Sequence, residues 1–563
     1  MKKQRWHLLV LLMALSLIAA ACGGGDEGSD SDDADSGEST DADASESESD
    51  DEGETDEGAD EGDGEASGEP VKGGTLVIGT TQVARHLNGL VQSGLATATP
   101  GSQVFASPLL VDADFNFQPY LAQSWEFSDD GLALTLNLVD NATFHDGEAV
   151  TSEDVKFSIE TAKANHPFVT MFGPVTEIDT PDEQTVVINL SQPHPALLLA
   201  LTPPLLPVVP QHIFDDGEDM KTHPRNSEDV VGSGPFKVVE FNPSEVIRLE
   251  ANADFFLGAP NFDELILQTF PDSSSLNLAL EAGEIDAAAI SSASDIERLS
   301  AVEGLVVTPD GHHGLGALNW LEFNLTNEFL SDQNVRQAIA YAIDRDFITN
   351  ALHQGYFSAN PAPIANTSPF YHEGIETYDL DVDAAKQLLA DAGYADGDIS
   401  LKIDYIPGPD AIQKNVAEYI VQALAEVGIT VELNQVADFP AWAQRVSSGE
   451  FEMTMNNVWN WGDPVIGVHR SYLSTNRVGV IWTNNSGYEN TDVDELLNQA
   501  GQELDVDARK ALYVEAQDIL ADELPMYWLN NTTFWQAYPE NLQNPPLGIW
   551  GVMSPMHEMW LAE

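Results

Sequence analysis

The stretch Val458–Val465, VWNWGDPV, brings two indoles, a carboxylate and a proline close together. Trp459 and Trp461 offer flat, rigid, amphipathic faces that can cover an organic group or a cation, and Asp463 can pair with a cationic group. The same residues have a purely structural use. Asp463 followed by Pro464 has the form of a helix N-cap and first helical residue, and indoles also serve as core or rim packing. This is chemistry for holding a molecule rather than for transforming one.

Motifs that would transform a molecule are missing. The chain has no G-x-S-x-G, no G-x-x-x-x-G-K-[ST], no G-x-G-x-x-G opening a βαβ unit and no H-E-x-x-H. The run His145-Asp146-Gly147-Glu148 has the residue types of an acid/base or metal site, but it precedes a helix start and reads as a turn. An enzyme is not expected, and neither a metal nor a cofactor is expected.

Composition sets the compartment and the partners. Lys2, Lys3 and Arg5 precede the apolar core Leu8–Ile18, which is shorter than the ~20 residues of a membrane span and has the form of an export signal. It ends in Ala19-Ala20-Ala21-Cys22, and Cys22 is the only cysteine, so no internal disulfide can form. Residues 23–70 carry 22 Asp and Glu, no Lys or Arg and no apolar residue larger than Ala. Such a segment cannot offset its ordering entropy, and as a disordered tether it would reach roughly 40 Å. The remaining globule, from residue 71, keeps 71 of the 93 acidic residues and 19 of the 22 basic ones, a net charge of −52. That surface disfavours nucleic acid and anionic lipid as partners.

The elements that must position the motif can be read from alternation and caps. Residues 74–80 (GTLVIGT) form a strand, residues 119–158 a hairpin and then a helix capped near Thr151 or Ser152, and GSGPFKVVEFNPSEVIRLEA two further strands. Residues 276–286 form a helix ended by Gly283. Ser331-Asp332 caps a helix whose Val335, Ala338, Ile339, Ala342, Ile343 and Phe347 share one face. Residues 401–406, 412–427 and 429–436 read as a βαβ unit with parallel strands, followed by a helix around 442–446 and a strand at 451–458. The opening motif therefore lies at the carboxyl end of a strand, where open α/β sheets bind ligands.

The phrases LAQSWEFSDDGLALTLNLVDNATFHDGEAVTSEDVKFSIE, GSGPFKVVEF, NADFFLGAPNFDELILQTFPDSSSLNLALEAGEID, VRQAIAYAIDRDFI, DAAKQLLADAGY and GYENTDVDELL occur in colinear order. They resemble the peptide/nickel class (family 5) of extracellular solute-binding proteins that serve ABC importers. The resemblance implies an α/β, type II clamp with two lobes and an additional inserted subdomain. Lobe 1 would comprise residues 72–118, 231–310 and 530–563, the insertion 119–230 and lobe 2 residues 311–529, after a signal at 1–21 and a tether at 22–71. It also implies capture of a small solute, most readily a peptide, between the lobes, delivery to a membrane permease, and a monomer. Cys22 resembles the lipidated cysteine of a lipobox, although the family prefers Leu where Ala19 stands. In peptide-binding relatives an acidic residue after a Trp meets the peptide's amino terminus. Their Trp-x-Gly/Ala-Asp spacing differs here, with Trp459 four and Trp461 two positions before Asp463.

Further candidates follow from position. Arg85 and His86 lie in the loop after the first strand, where relatives line the cleft. Trp320 and His313 lie near the passage between lobes, and the adjacent His312 and His313 would face opposite ways on a strand and not chelate one ion. Trp482 and Arg470 follow the motif, and Arg470 could pair with a solute carboxylate or finish a helix. The recognised phrases are scaffold and leave other uses open: a sensory lipoprotein uncoupled from import, or a receptor for an oligosaccharide or a metal chelate.

Overall fold

The computed structural model describes residues 69–290, 292–407 and 412–563. The export signal, Cys22 and the acidic tether up to residue 68 lie outside the described residues. Among the described residues no helix is long and apolar enough to cross a membrane, and no group of three His, Cys, Asp or Glu is placed to hold a metal ion.

Strand β1 (Thr75–Thr80) opens the first lobe. The stretch after it contains an unforeseen helix, α1 (Leu95–Val104), whose Thr, Gly and Ser residues and internal Pro100 disguise it as loop. The insertion follows with β2 (Ala122–Phe127), β3 (Ala133–Leu138), α2 (Ser152–Asn165), β4 (Val175–Asp182) and β5 (Thr185–Leu190). These strands form an antiparallel sheet in the order β2-β3-β5-β4. Helix α2 starts where its sequence demands: the Asp154 carboxylate accepts from the Thr151 N–H and hydroxyl, both at 2.9 Å, in a capping box worth ~1 kcal/mol.

The chain then returns to the first lobe through β6 (Phe236–Asn242), β7 (Val246–Ala251), β8 (Glu264–Thr269), α3 (Ser273–Glu281), β9 (Ala287–Ile290) and β10 (Leu305–Thr308). It crosses to the second lobe at residues 309–316 and builds β11 (Ala317–Phe323), α4 (Gln333–Ala342), β12 (Ser358–Ala359), β13 (Ser400–Asp404), α5 (Ile412–Glu426), β14 (Thr430–Leu433), α6 (Phe439–Ser448) and β15 (Met453–Trp459). Short helices α7 (Pro464–Gly467) and α8 (His469–Tyr472), the long α9 (Val506–Glu523) and β16 (Met526–Thr532) complete that lobe. The chain passes back at residues 533–534 into β17 (Trp535–Pro539).

The first-lobe sheet has the order β10-β17-β9-β1-β8-β7-β6, with β1 parallel to both β8 and β9. The second-lobe sheet has the order β12-β16-β11-β15-β13-β14, with β13 parallel to β14 and β15 and β11 antiparallel to its neighbours. Two details depart from the sequence reading. The boundary placed at 529/530 cuts β16, which stays in the second sheet through Thr532 because its alternate residues pair with β11. The apolar face read as one helix to Phe347 breaks at Ile343, whose backbone is extended; a fresh turn starts at Asp344, which caps the Phe347 N–H at 2.9 Å.

Candidate functional site

Helix α6 and strand β15 place the Trp-Asn-Trp segment. Asp438 caps α6 through the Ala441 N–H at 2.9 Å, and Gly449, at φ 73°, ends it in the left-handed region that favours glycine. The chain then runs straight into β15. On one side β15 pairs with β11 along its whole length. On the other, β13 reaches only Met453 and Thr454. Among the described residues no strand pairs with Met455–Trp459 on that side.

The ladder's phase shows which main-chain groups face this open edge. Just beyond the paired segment, the Asn460 N–H donates to Gly316 O and the Asn324 N–H to Glu452 O. Antiparallel pairs alternate between bonded and non-bonded, so Leu318/Val458, Trp320/Asn456 and Glu322/Thr454 exchange the main-chain bonds. The N–H and C=O of Asn457 and Trp459 therefore point away from β11, toward the open edge. Both residues are half-buried, whereas the rest of β15 is buried.

Beyond β15 the chain reverses at Trp461 and Gly462, both at positive φ (51° and 74°). The left-handed backbone at 462 favours glycine, and a Cβ there would lie 2.7 Å from Leu199 Cδ2, a side chain of the insertion that would have to shift. Trp461 is buried in the apolar core that the first lobe and the insertion share. Its ring centroid is 5.2 Å from Phe168 of the insertion, 6.1 Å from Trp550 of the first lobe and 5.6 Å from Trp459. Trp459 meets Phe534, in the return crossover, edge-on at 5.6 Å. Arg470 lies over the Phe168 ring at 4.9 Å and donates to Gly467 O at 3.2 Å and Trp459 O at 3.4 Å. Burial lowers its pKa to about 10, leaving it charged. The motif is thus a seam between the lobes.

Asp463 is committed internally. It caps α7 through the Val465 N–H at 2.9 Å, and both of its oxygens accept from Arg509, each at 2.8 Å. Both partners are buried. Burial opposes ionisation of Asp463, but the Arg509 guanidinium and the Val465 N–H outweigh it and hold the carboxyl below the usual aspartate range. Arg509 also donates to Ala500 O at 2.8 Å and to the Tyr513 hydroxyl at 3.3 Å. In this arrangement both carboxylate oxygens already accept, Oδ1 from Val465 and Arg509 and Oδ2 from Arg509.

Of the other candidates, Trp320 is 1 % exposed and turns into the second-lobe core, not toward a cleft, because its indole N–H faces Glu322 Oε2 at 3.4 Å. Arg85 is exposed and His86 half-buried in the loop after β1, with His86 Nδ1 accepting from the Asn88 N–H at 3.2 Å. Trp482, at φ 61°, packs against Phe439, 6.1 Å between centroids, away from the Trp459–Trp461 cluster. His313 bonds Ala113 O at 2.7 Å, and His312 is buried in the first crossover at φ 61° with Nε2 accepting from the Val552 N–H. His145, Asp146 and Glu148 belong to a turn in which the His145 ring contacts Gly234 O.

The structure adds residues that the sequence did not single out: Phe168, Phe534, Trp550 and Arg509 around the motif, and Asn456 and Asn457 on β15. The doublet Asn456-Asn457 inside an apolar strand was a visible signal. The others come from distant segments.

Comparison with known proteins places this geometry among relatives. Residues 116–479 match the model of the bacterial extracellular solute-binding proteins, family 5. A putative ABC transporter peptide-binding protein of Brucella ovis is 31 % identical over 359 residues, covering 61 % of this chain and 66 % of the relative's length. Among solved structures, the ABC transporter substrate-binding protein CtaP of Listeria monocytogenes superposes with a TM-score of 0.76 at 26 % identity, covering 87 % of this chain and all of its own. The periplasmic binding protein DppA of Helicobacter pylori in complex with the peptide STSA gives a TM-score of 0.74 at 25 % identity, covering 88 % and 99 %. Such neighbours are two-lobed binding proteins, consistent with an α/β type II clamp.

Proposed function

Because the chain belongs to the bacterial extracellular solute-binding proteins of family 5, we propose that it captures a peptide between its lobes and delivers it to the permease of an ABC importer. The open edge of β15 carries this reading. An extended peptide can add to a sheet edge, taking affinity from main-chain hydrogen bonds and leaving side chains to neighbouring surfaces. Here the outward main chain of Asn457 and the Trp459 N–H supply the edge, the Trp459 carbonyl being engaged by Arg470, and the half-buried Phe534 ring lies against that of the half-buried Trp459.

In this reading the seam of Trp461, Phe168, Arg470 and Trp550 stabilises the closed clamp. A solute that touches both lobes shifts the population toward that form, which the permease recognises. Asp463 serves the fold of the seam. The protein acts as a monomer, held at the membrane by a lipid on Cys22 ahead of the acidic segment. Relatives carrying the peptide-binding name and a neighbour solved with a bound peptide support the solute class.

The test is a thermal-shift screen of the purified protein with pools of unmodified tri- to nonapeptides, oligosaccharides and metal chelates. A ligand that binds only the folded form raises Tm, and at 100 times its Kd adds ~2.7 kcal/mol. Peptide pools are expected to raise Tm. A shift with another pool alone would reject the peptide assignment.

A further inference from the structure

Strand β11 carries Glu322 into the second-lobe core, where it is 1 % exposed. Its Oε2 accepts from Asn456 Nδ2 at 2.7 Å and from Trp320 Nε1 at 3.4 Å, and among the described residues Oε1 has no partner. Around it stand Trp320 on its own strand, Thr454 and Asn456 on β15, Met526 on β16 and Tyr472 on α8. The titratable and charged groups on this face are Tyr472, whose hydroxyl accepts from Trp528 Nε1 at 2.8 Å, and, across from Thr454, Asp404 of β13 in its ion pair with Arg445 of α6 at 2.9 Å. Arg445 is engaged by Asp404, and among the described residues no cation forms an ion pair with Glu322. Burial pushes its carboxyl up to about 7, against the opposing pull of the Asn456 and Trp320 hydrogen bonds.

Asn456 has a second engagement. Its Oδ1 accepts the main-chain N–H of Asn457 at 2.8 Å. That N–H is an outward donor of the open β15 edge. Two consecutive hydrogen bonds therefore join a buried carboxyl group to the donor that an added strand would use.

We propose that Glu322 is a positioning residue for the solute, acting through Asn456 to decide whether the Asn457 N–H is free to bond a solute carbonyl. The proposal rests on the reading of β15 as the edge that pairs with solute. An ionised Glu322 makes a charge-assisted bond to the Asn456 amide and fixes it, so Oδ1 keeps the Asn457 N–H engaged. A neutral Glu322 holds Asn456 less tightly, and the side chain can yield the N–H to a competing carbonyl. Only a proton is exchanged with solvent, and no covalent bond of the solute changes.

Two measurements test this. In the solute-free protein, hydrogen exchange at the Asn457 amide, corrected for intrinsic pH dependence, is expected to show several-fold lower protection at pH 6 than at pH 8. In calorimetric titrations with a pool of unmodified hexapeptides, affinity should be several-fold higher at pH 6. Glu322→Gln should bind equally at both values, and Asn456→Ala should bind tightly at both. If no peptide binds at either pH, the edge reading fails, while the exchange experiment still judges the relay. If Asn457 protection is the same at both pH values, or the Glu322→Gln and Asn456→Ala variants keep the wild-type pH profile of affinity, the proposal is overturned. If Glu322→Gln does not fold, wild-type exchange and Asn456→Ala decide.

Discussion

Asp463 and Glu322 are both buried carboxyl groups of the second lobe, and their surroundings send them in opposite directions. Asp463 faces Arg509 and titrates below the ordinary range, so its stabilising contribution is present above the unfolded-state pKa of ~3.9 and disappears as pH falls through its depressed native value. Asp463→Ala strands the Arg509 guanidinium and should cost ~3–5 kcal/mol in a urea titration at pH 7. The wild-type advantage over this variant should shrink in acid. Burial raises the native pKa of Glu322 above its unfolded one, and among the described residues no cation pairs with it. The folded form then binds the proton more tightly, and the stability it confers falls as pH rises from ~4.5 to about 7. Glu322→Gln should flatten that slope, which denaturant midpoints at pH 5 and pH 8 would reveal. Neither pairing could be read from the chain, since Arg509 lies 46 residues from Asp463 and Asn456 lies 134 from Glu322. The Asp-Pro cap was legible, because capping is local.

Strand β15 and the turn after it set the next scale. The βαβ unit and the strand following α6 were legible because caps and alternation act over a few residues, and the parallel pairing of β13 with β14 agrees with that reading. The open edge was not legible. Whether a neighbouring strand covers a given edge depends on where β13 stops, which is a tertiary outcome. The edge yields a clean perturbation: Asn457→Pro deletes an outward N–H while leaving the β11 ladder intact, and proline is tolerated at such an edge position. This variant should keep its far-ultraviolet circular dichroism and lose peptide binding by at least tenfold. Gly462→Ala tests the seam. A Cβ pressed against Leu199, on a backbone at φ 74°, should disfavour closure by ~1–3 kcal/mol and lower affinity, with a larger radius of gyration in small-angle scattering.

At the scale of the whole molecule, two passages among the described residues, 309–316 and 533–534, join the lobes, which touch again along the aromatic seam. The family phrases revealed the lobes and the insertion because scaffold residues repeat a packing solution. They did not reveal how the seam is built, because Phe168, Trp461 and Trp550 are far apart in the chain. The net charge of −52 on the globule implies self-repulsion, which salt screens. Raising sodium chloride from 10 mM to 500 mM should raise Tm by several degrees, as differential scanning fluorimetry would show. The proposed clamp holds a peptide by strand addition to β15. Calorimetric titration of the wild-type protein and of Asn457→Pro with one pool of unmodified hexapeptides tests this most directly. Strand addition requires saturable binding by the wild type and its loss in the variant; equal affinity in the two proteins, or no binding by the wild type, would overturn it.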